Sequence, residues 1–382
     1  VTENEIMAAA AVDVGRVTNL AAELIRCDTR NPPGNERPIV VPLMEILGEL
    51  GATIDIVEPE PGRVSILADI GPAGSSTLLI NGHLDVVPVV ESDWSVPPFA
   101  GQLRGDLLYG RGACDMKGGI AAALEGVLAC RDAGVALPAK LLFHLVADEE
   151  TGGRLGTEAL IGSGLVHADA AVVPEPSELK VCVAERGALL VEFVVRGRAA
   201  HGSDPSSGHS AVADAARIAS ALHCVDFGVS PHSLLGAPSC NVGTIQGGTA
   251  PNIVAAECRL QVDRRVLPGQ TREEALRSLT ALIDAAGEFD YDTNILAFAE
   301  GSEIDPRHPF VATVQQAADH ADIRGLYLGT DARFLRNQLN IPTVVYGPGS
   351  MTLAHNADEY VPVADLTTAA RTFARLYATF GQ

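Results

Sequence analysis

Four strand-length apolar runs in this chain each end in a histidine or a carboxylate. TLLIN (77–81) is followed by Gly82, His83, Leu84 and Asp85, and LLFHLVA (141–147) by Asp148, Glu149 and Glu150. AAVV (170–173) leads into Pro174, Glu175 and Pro176, and TVVY (343–346) into GPGSMTLAHNADE, which carries His355. Continuous apolar runs are the mark of strands buried on both faces. In open α/β sheets, sites form at the carboxyl ends of such strands. Further strands are expected at Thr53–Val57 and Val64–Asp69, and helices near residues 16–27, 38–50, Gly118–Asp132 and Val361–Thr379. Strands alternating with helices predict an α/β sheet covered on both faces.

The middle of the chain reads differently. Residues 180–292 hold two long strand runs, LLVEFVVRGRA and NIVAAECRLQVDRRV, with helix-like stretches at Ser210–His223 and Thr271–Ala286. The chain has 382 residues, too many for one simple core. The reading is a smaller α+β domain at 180–292, inserted between 1–179 and 293–382 of the α/β domain.

Composition excludes several function classes. The formal net charge of −21 and the lack of any basic run argue against nucleic acid as a partner. The seven cysteines are odd in number and form no CxxC, which argues against a disulfide framework and against thiolate-bound zinc. VTENEIMAAAAVDVGR lacks a basic segment followed by a long apolar one, and no apolar stretch is of membrane length. The expectation is a cytoplasmic protein with no membrane partner.

Each polar residue at a strand end has an ordinary explanation. Asp115, in GRGACDMKGG, could cap the helix that follows it. The run Asp148–Glu150 could be a solvated loop tip, and Glu175 a rigid turn between prolines. Their coincidence at predicted strand ends, flanked by glycines, favours a shared centre. Two histidines and at least three carboxylates suit Zn²⁺, Co²⁺ or Mn²⁺. Two such ions would offset the crowded negative charge and activate a water. One carboxylate should then remain off the metals as general base.

HLDVVP, WSVPPF, YGRGACDMKGG, DEETGG, PEP and HNADE occur in that order. Through them nearly the whole chain resembles the zinc-dependent metallopeptidases that include acetylornithine deacetylases, succinyl-diaminopimelate desuccinylases, aminoacylases and glutamate carboxypeptidases. The resemblance implies a catalytic domain with a mixed sheet flanked by helices, and an inserted α+β lid that serves for dimerisation. It implies two divalent ions, Zn²⁺ or alternatively Co²⁺ or Mn²⁺. His83 and Glu175 would hold one ion, Glu150 and His355 the other, and Asp115 would bridge them. Asp85 would orient the His83 ring, Glu149 would be the base, and Asp148 would be structural.

The resemblance also implies that the lid brings His201, in RGRAAHGSDPSSG, to the reaction centre as oxyanion donor. Substrate-carboxylate contacts would come from Asn252, Arg265, Gly329, Thr330 and Arg333, with Arg265 and Arg333 alternatively paired to Asp263 and Asp331. The implied reaction is hydrolysis of an N-acyl amino acid by a homodimer. A dipeptidase or carboxypeptidase, and a non-catalytic metal-holding binding protein, are the alternatives.

Overall fold

The computed structural model describes residues 2–72 and 76–382. The chain divides into two compact units. The first comprises Val1–Val183, Ile304–Arg324 and Thr330–Gln382, and the second Ala184–Glu303 with Gly325–Gly329.

The sheet of the first unit runs Thr53–Val57, Ser65–Ile70, Lys140–Val146, Thr77–His83, Ala170–Val173, Thr343–Val345, Val181–Glu185. Its centre is parallel. Thr77–His83 pairs in parallel with both Lys140–Val146 and Ala170–Val173, and Thr343–Val345 continues the parallel set. Ser65–Ile70 and Thr53–Val57 add antiparallel at one edge, so the sheet is mixed. The four runs singled out by their polar ends are therefore four adjacent parallel strands. Parallel neighbours end on the same edge, so His83, the Asp148–Glu150 turn and Glu175 converge directly, while His355 lies on the loop that follows Thr343–Val345.

Helix Lys117–Asp132 is buried along nearly its whole length. It packs on the carboxyl-terminal helix Val363–Thr379, whose inner face buries Leu366, Ala370, Phe373 and Tyr377. The approach is too close for side chains at two glycines. A Cβ at Gly126 would stand 2.8 Å from Phe373 Cβ, and one at Gly119 only 1.8 Å from the Pro174 carbonyl oxygen. Gly119 thus lets the start of the helix sit against the residue preceding Glu175.

The second unit is an antiparallel sheet in the order Ser239–Gly247, Glu257–Val266, Gly187–Arg196, Tyr291–Ala299. Along Gly187–Arg196, Leu189, Val191, Phe193 and Val195 are buried. They form a core with Ile218 and Leu222 of helix Ala211–Leu222 and Leu279 and Ile283 of helix Arg272–Ala286. Both helices carry side-chain caps, from Ser210 and from a Thr271/Glu274 capping box. The unit extends past residue 292 because Tyr291–Ala299 pairs along Gly187–Arg196 as a fourth strand. Among the described residues no helix is long and apolar enough to cross a membrane.

Candidate metal centre

His83 was expected in the loop after its strand. It is instead the last strand residue, paired with Val146. Its Nε2 lies 2.9 Å from Asp115 Oδ1 and 3.3 Å from Glu175 Oε1. His355 Nε2 lies 3.2 Å from Asp115 Oδ2 and 3.1 Å from Glu150 Oε2. Asp115 thus offers one oxygen to each imidazole. Two groups result, His83–Asp115–Glu175 and Asp115–Glu150–His355, each with its ligand atoms within 4.8 Å of one another. Asp115 does not cap the helix behind it, which begins after Met116 without a side-chain cap.

The electrostatics are those of a site built for cations. Burial opposes charge on His83, but Glu175 and Asp115 outweigh it and hold the ring well above its usual range. Hydrogen bonds to Asp115 and Glu150 raise His355 to about 10. Burial and the charge of Asp115 raise Glu175 to about 8. Glu150 is raised by the same two causes. Glu149 belongs to neither group, and burial lifts it well above the carboxylate range. Glu150 Oε1 and Glu175 Oε2 are buried with no hydrogen-bond partner, an expensive state for carboxylate oxygens unless something binds them. Imidazole nitrogen and carboxylate oxygen are the donors that zinc, cobalt and manganese accept. The residues fit a pair of divalent ions.

Long-range bonds hold the donors in place. Nδ1 of His83 lies 2.9 Å from the Asp85 carbonyl oxygen, a contact that leaves Nε2 for a metal when Nδ1 carries the proton. The Asp85 carboxylate accepts from the backbone N–H groups of Glu149 and Glu150 (3.1 and 3.2 Å) and from Asn31 Nδ2 (2.8 Å). One short segment therefore orients His83 through its backbone and the acidic turn through its side chain. Glu359 is fully buried and accepts from Arg111 Nη1 (2.6 Å) and from the N–H groups of Gly112, Cys114 and Asp115. Arg111 also donates to the His355 carbonyl, at 3.2 Å. That pair ties the Asp115 loop to the His355 loop. Arg111 and Glu359 lie inside the motifs read from the sequence, but nothing local marked them as partners.

Asp148 sits in the left-handed region at φ 73°. Its carboxylate accepts from Thr151 Oγ1 (2.6 Å) and the Leu155 N–H (2.9 Å), and Arg63 Nη1 stands 3.1 Å away. Arg63 also pairs with Glu36 (2.9 Å). Burial keeps Glu36 above its ordinary value even with Arg63 beside it, so this cluster fixes geometry more than it adds net stability. Arg63→Ala leaves two buried carboxylates without their cation. It is expected to lower unfolding free energy by about 3–5 kcal/mol, read from urea unfolding. A loss under about 1 kcal/mol would show that the cluster is solvated.

The other expected site residues divide between the units. In the first, Thr330 is fully buried, and Arg333, 8% exposed, stands 3.7 Å from Glu149 Oε1. In the second, His201 is exposed, bridges to Ile253, and has Nδ1 2.7 Å from Ser203 Oγ and 3.2 Å from the Ser203 N–H. An Nδ1 that accepts from a backbone amide puts the ring proton on Nε2. Asn252 offers its carbonyl to the Gly202 N–H at 2.7 Å. Arg265 bonds to Asp263 at 2.9 Å, its alternative partner. Gly329 ends the short segment Gly325–Gly329.

Residues 79–379 match the sequence pattern of peptidase family M20/M25/M40. The acetylornithine deacetylase of Myxococcus xanthus is 34% identical over 333 residues, 83% of this chain and 84% of that one. The fold is similar to an M20 family metallo-carboxypeptidase from Sulfolobus solfataricus, with a TM-score of 0.80, 20% identity, and 95% and 98% of the two chains covered. It is similar as well to a dinuclear metal binding M20 peptidase from Bacillus subtilis (TM-score 0.69, 17% identity, 96% and 97% covered).

Proposed function

We propose a reaction for this chain on the premise that it belongs to peptidase family M20/M25/M40 and is therefore a metal-dependent hydrolase of amide bonds. The reaction is removal of the acyl group from an N-acyl amino acid, giving a carboxylate and a free amine. The observation that carries it is the pair of ligand groups sharing Asp115, with a spare carboxylate, Glu149, next to Glu150 in the same turn.

His83 and Glu175 would hold one divalent ion, His355 and Glu150 the other, and Asp115 both. Zn²⁺ is the proposed ion, with Co²⁺ or Mn²⁺ as alternatives. When bound, such a pair supplies Lewis acidity toward the amide carbonyl and a water of lowered pKa. Glu149 takes the proton of the attacking water on its carboxylate and passes it to the leaving nitrogen. A carboxylate that belongs to neither ligand group is free to hold that proton between the two transfers. His201, with its proton on Nε2, is the proposed oxyanion donor. Asn252, Arg265, Gly329 and Thr330 are the proposed contacts of the substrate carboxylate. Dimerisation through the second unit is proposed too, and light scattering at monomer mass would exclude it.

Amine release from N-acetylornithine, other N-acyl amino acids and dipeptides, with Zn²⁺- or Co²⁺-loaded protein, tests the reading. Acyl amino acids should turn over fastest. Faster turnover of dipeptides would make the chain a peptidase. No turnover by protein carrying two ions would favour a binding role.

The ligand set also fixes a pH dependence. Without metal, the fold favours the protonated forms of His355 and Glu175, since both are raised, to about 10 and about 8. For His355 that stabilisation is complete below pH 6.5 and lost as pH rises through 10. Melting temperature of the chelator-treated protein should therefore fall between pH 6.5 and 10, while metal affinity climbs over the same window. Calorimetry in buffers of different ionisation enthalpy should show at least two protons released on loading at pH 7, since His83, His355 and Glu175 are all held toward their protonated forms without metal. A melting temperature that rises with pH across the window would contradict the ligand assignment.

A further inference from the structure

We infer that Arg333 is a positioning residue for Glu149 rather than a contact for substrate, an inference that rests on Glu149 being the base. Glu149 opens the single 3-10 turn Glu149–Thr151, which lies between Asp148 and Gly152, both in the left-handed region (φ 73° and 113°). One such turn has little rigidity of its own. It must be fixed from outside, and three clamps do so. Asp85 accepts the N–H groups of Glu149 and Glu150 at the leading end. Asp148 anchors the preceding corner through Thr151, Leu155 and Arg63. Arg333 holds the trailing end, because its Nη2 donates to the Gly152 carbonyl at 3.1 Å.

The same guanidinium reaches the catalytic carboxylate. Nη1 donates to the Thr330 carbonyl at 2.8 Å and stands 3.7 Å from Glu149 Oε1. The Phe334 ring covers the cation, with a centroid distance of 4.3 Å. Planar recognition of a substrate carboxylate needs a guanidinium edge whose two nitrogens are not already engaged. Arg333 is 8% exposed, and both terminal nitrogens are already bound to backbone carbonyls. A planar cation in this place bolts the end of the turn to the start of helix Ala332–Leu339 and keeps the Glu149 carboxylate facing one way. Lysine retains the charge but cannot bridge two carbonyls and a carboxylate in one plane.

The test is Arg333→Lys in the metal-loaded protein, with Arg333→Ala as a second variant where it folds. Substrate is whichever of N-acetylornithine, N-acetylmethionine and Ala-Ala the parent protein turns over fastest. The expected result is a loss of about 10²-fold in kcat, the scale for a catalytic group displaced by about an ångström. KM should stay within threefold, and both ions should be retained. Amide hydrogen exchange of residues 149–153 should speed up by tenfold or more, because the turn has lost its far clamp. A tenfold rise in KM with kcat preserved would assign Arg333 to substrate and overturn the inference. Unchanged exchange in 149–153 would overturn it as well, whatever the kinetics. Failure of the underlying base assignment is separately visible: Glu149→Gln would then keep its activity, and the exchange result would still decide whether Arg333 holds the turn.

Discussion

Glu149→Gln protein should bind two metal ions as the parent does and lose about 10² to 10⁴ in kcat, the range for removing a general base. The substitution keeps the shape of the side chain and removes the ability to take a proton. Metal should stay, because Glu149 belongs to neither ligand group. Fold should stay too. The backbone N–H of Glu149, which Asp85 accepts, is unchanged, and the buried carboxylate is disfavoured in its charged form where it stands. Thermal stability of the metal-free variant should therefore equal or exceed that of the parent near neutral pH. The loss should fall on kcat more than on KM, since the proton moves only once the substrate is in place. Near-parental turnover by a variant with both ions bound would mean that another group is the base.

Asp115→Ala should be the more damaging change for metal. Each Asp115 oxygen faces a different imidazole, at 2.9 and 3.2 Å, so one side chain serves both groups. Loss of an outer partner of a ligand costs 10–100-fold in metal affinity, and loss of a shared ligand should cost at least about 10²-fold at each position. Rate should fall with the metal. A titration with a chromogenic chelator would separate this variant from His355→Ala, which is expected to weaken the Glu150 position first and the Glu175 position less. Two ions held with parental affinity by Asp115→Ala protein would rule out the bridge.

The amino-acid order alone determined a good part of this protein. The four apolar runs, the helix between Asp115 and the run Asp148–Glu150, and the placement of Glu150 and Glu175 just past strand ends, with His355 in the loop after Tyr346, were legible because they are local. Apolar run length, glycine punctuation and residue chemistry are properties of a few neighbouring positions. Element ends were less legible. The strand carrying His83 runs two residues past Asn81 because its pairing with Lys140–Val146 continues, and pairing with a segment sixty residues away leaves no local mark. The same holds for the second unit, where Tyr291–Ala299 is mostly exposed and is placed by its pairing along Gly187–Arg196, with Tyr291 and Phe298 packing against the core.

Only the tertiary structure decided what holds the site. Asn31 reaches Asp85, and Arg63, itself paired with Glu36, reaches Asp148, all from segments with no motif. Glu359 accepts from Arg111 across 248 positions of chain. Arg333 donates to the Gly152 carbonyl at the end of the turn that carries Glu149, a contact that nothing in its own motif announces. Residue type says that a guanidinium will seek an acceptor. It does not say which one, because that depends on which loops the sheet brings within about 3 Å. The residue types of the candidate ligands are thus written in the chain, whereas their orientation toward one another exists only once four strands have been aligned.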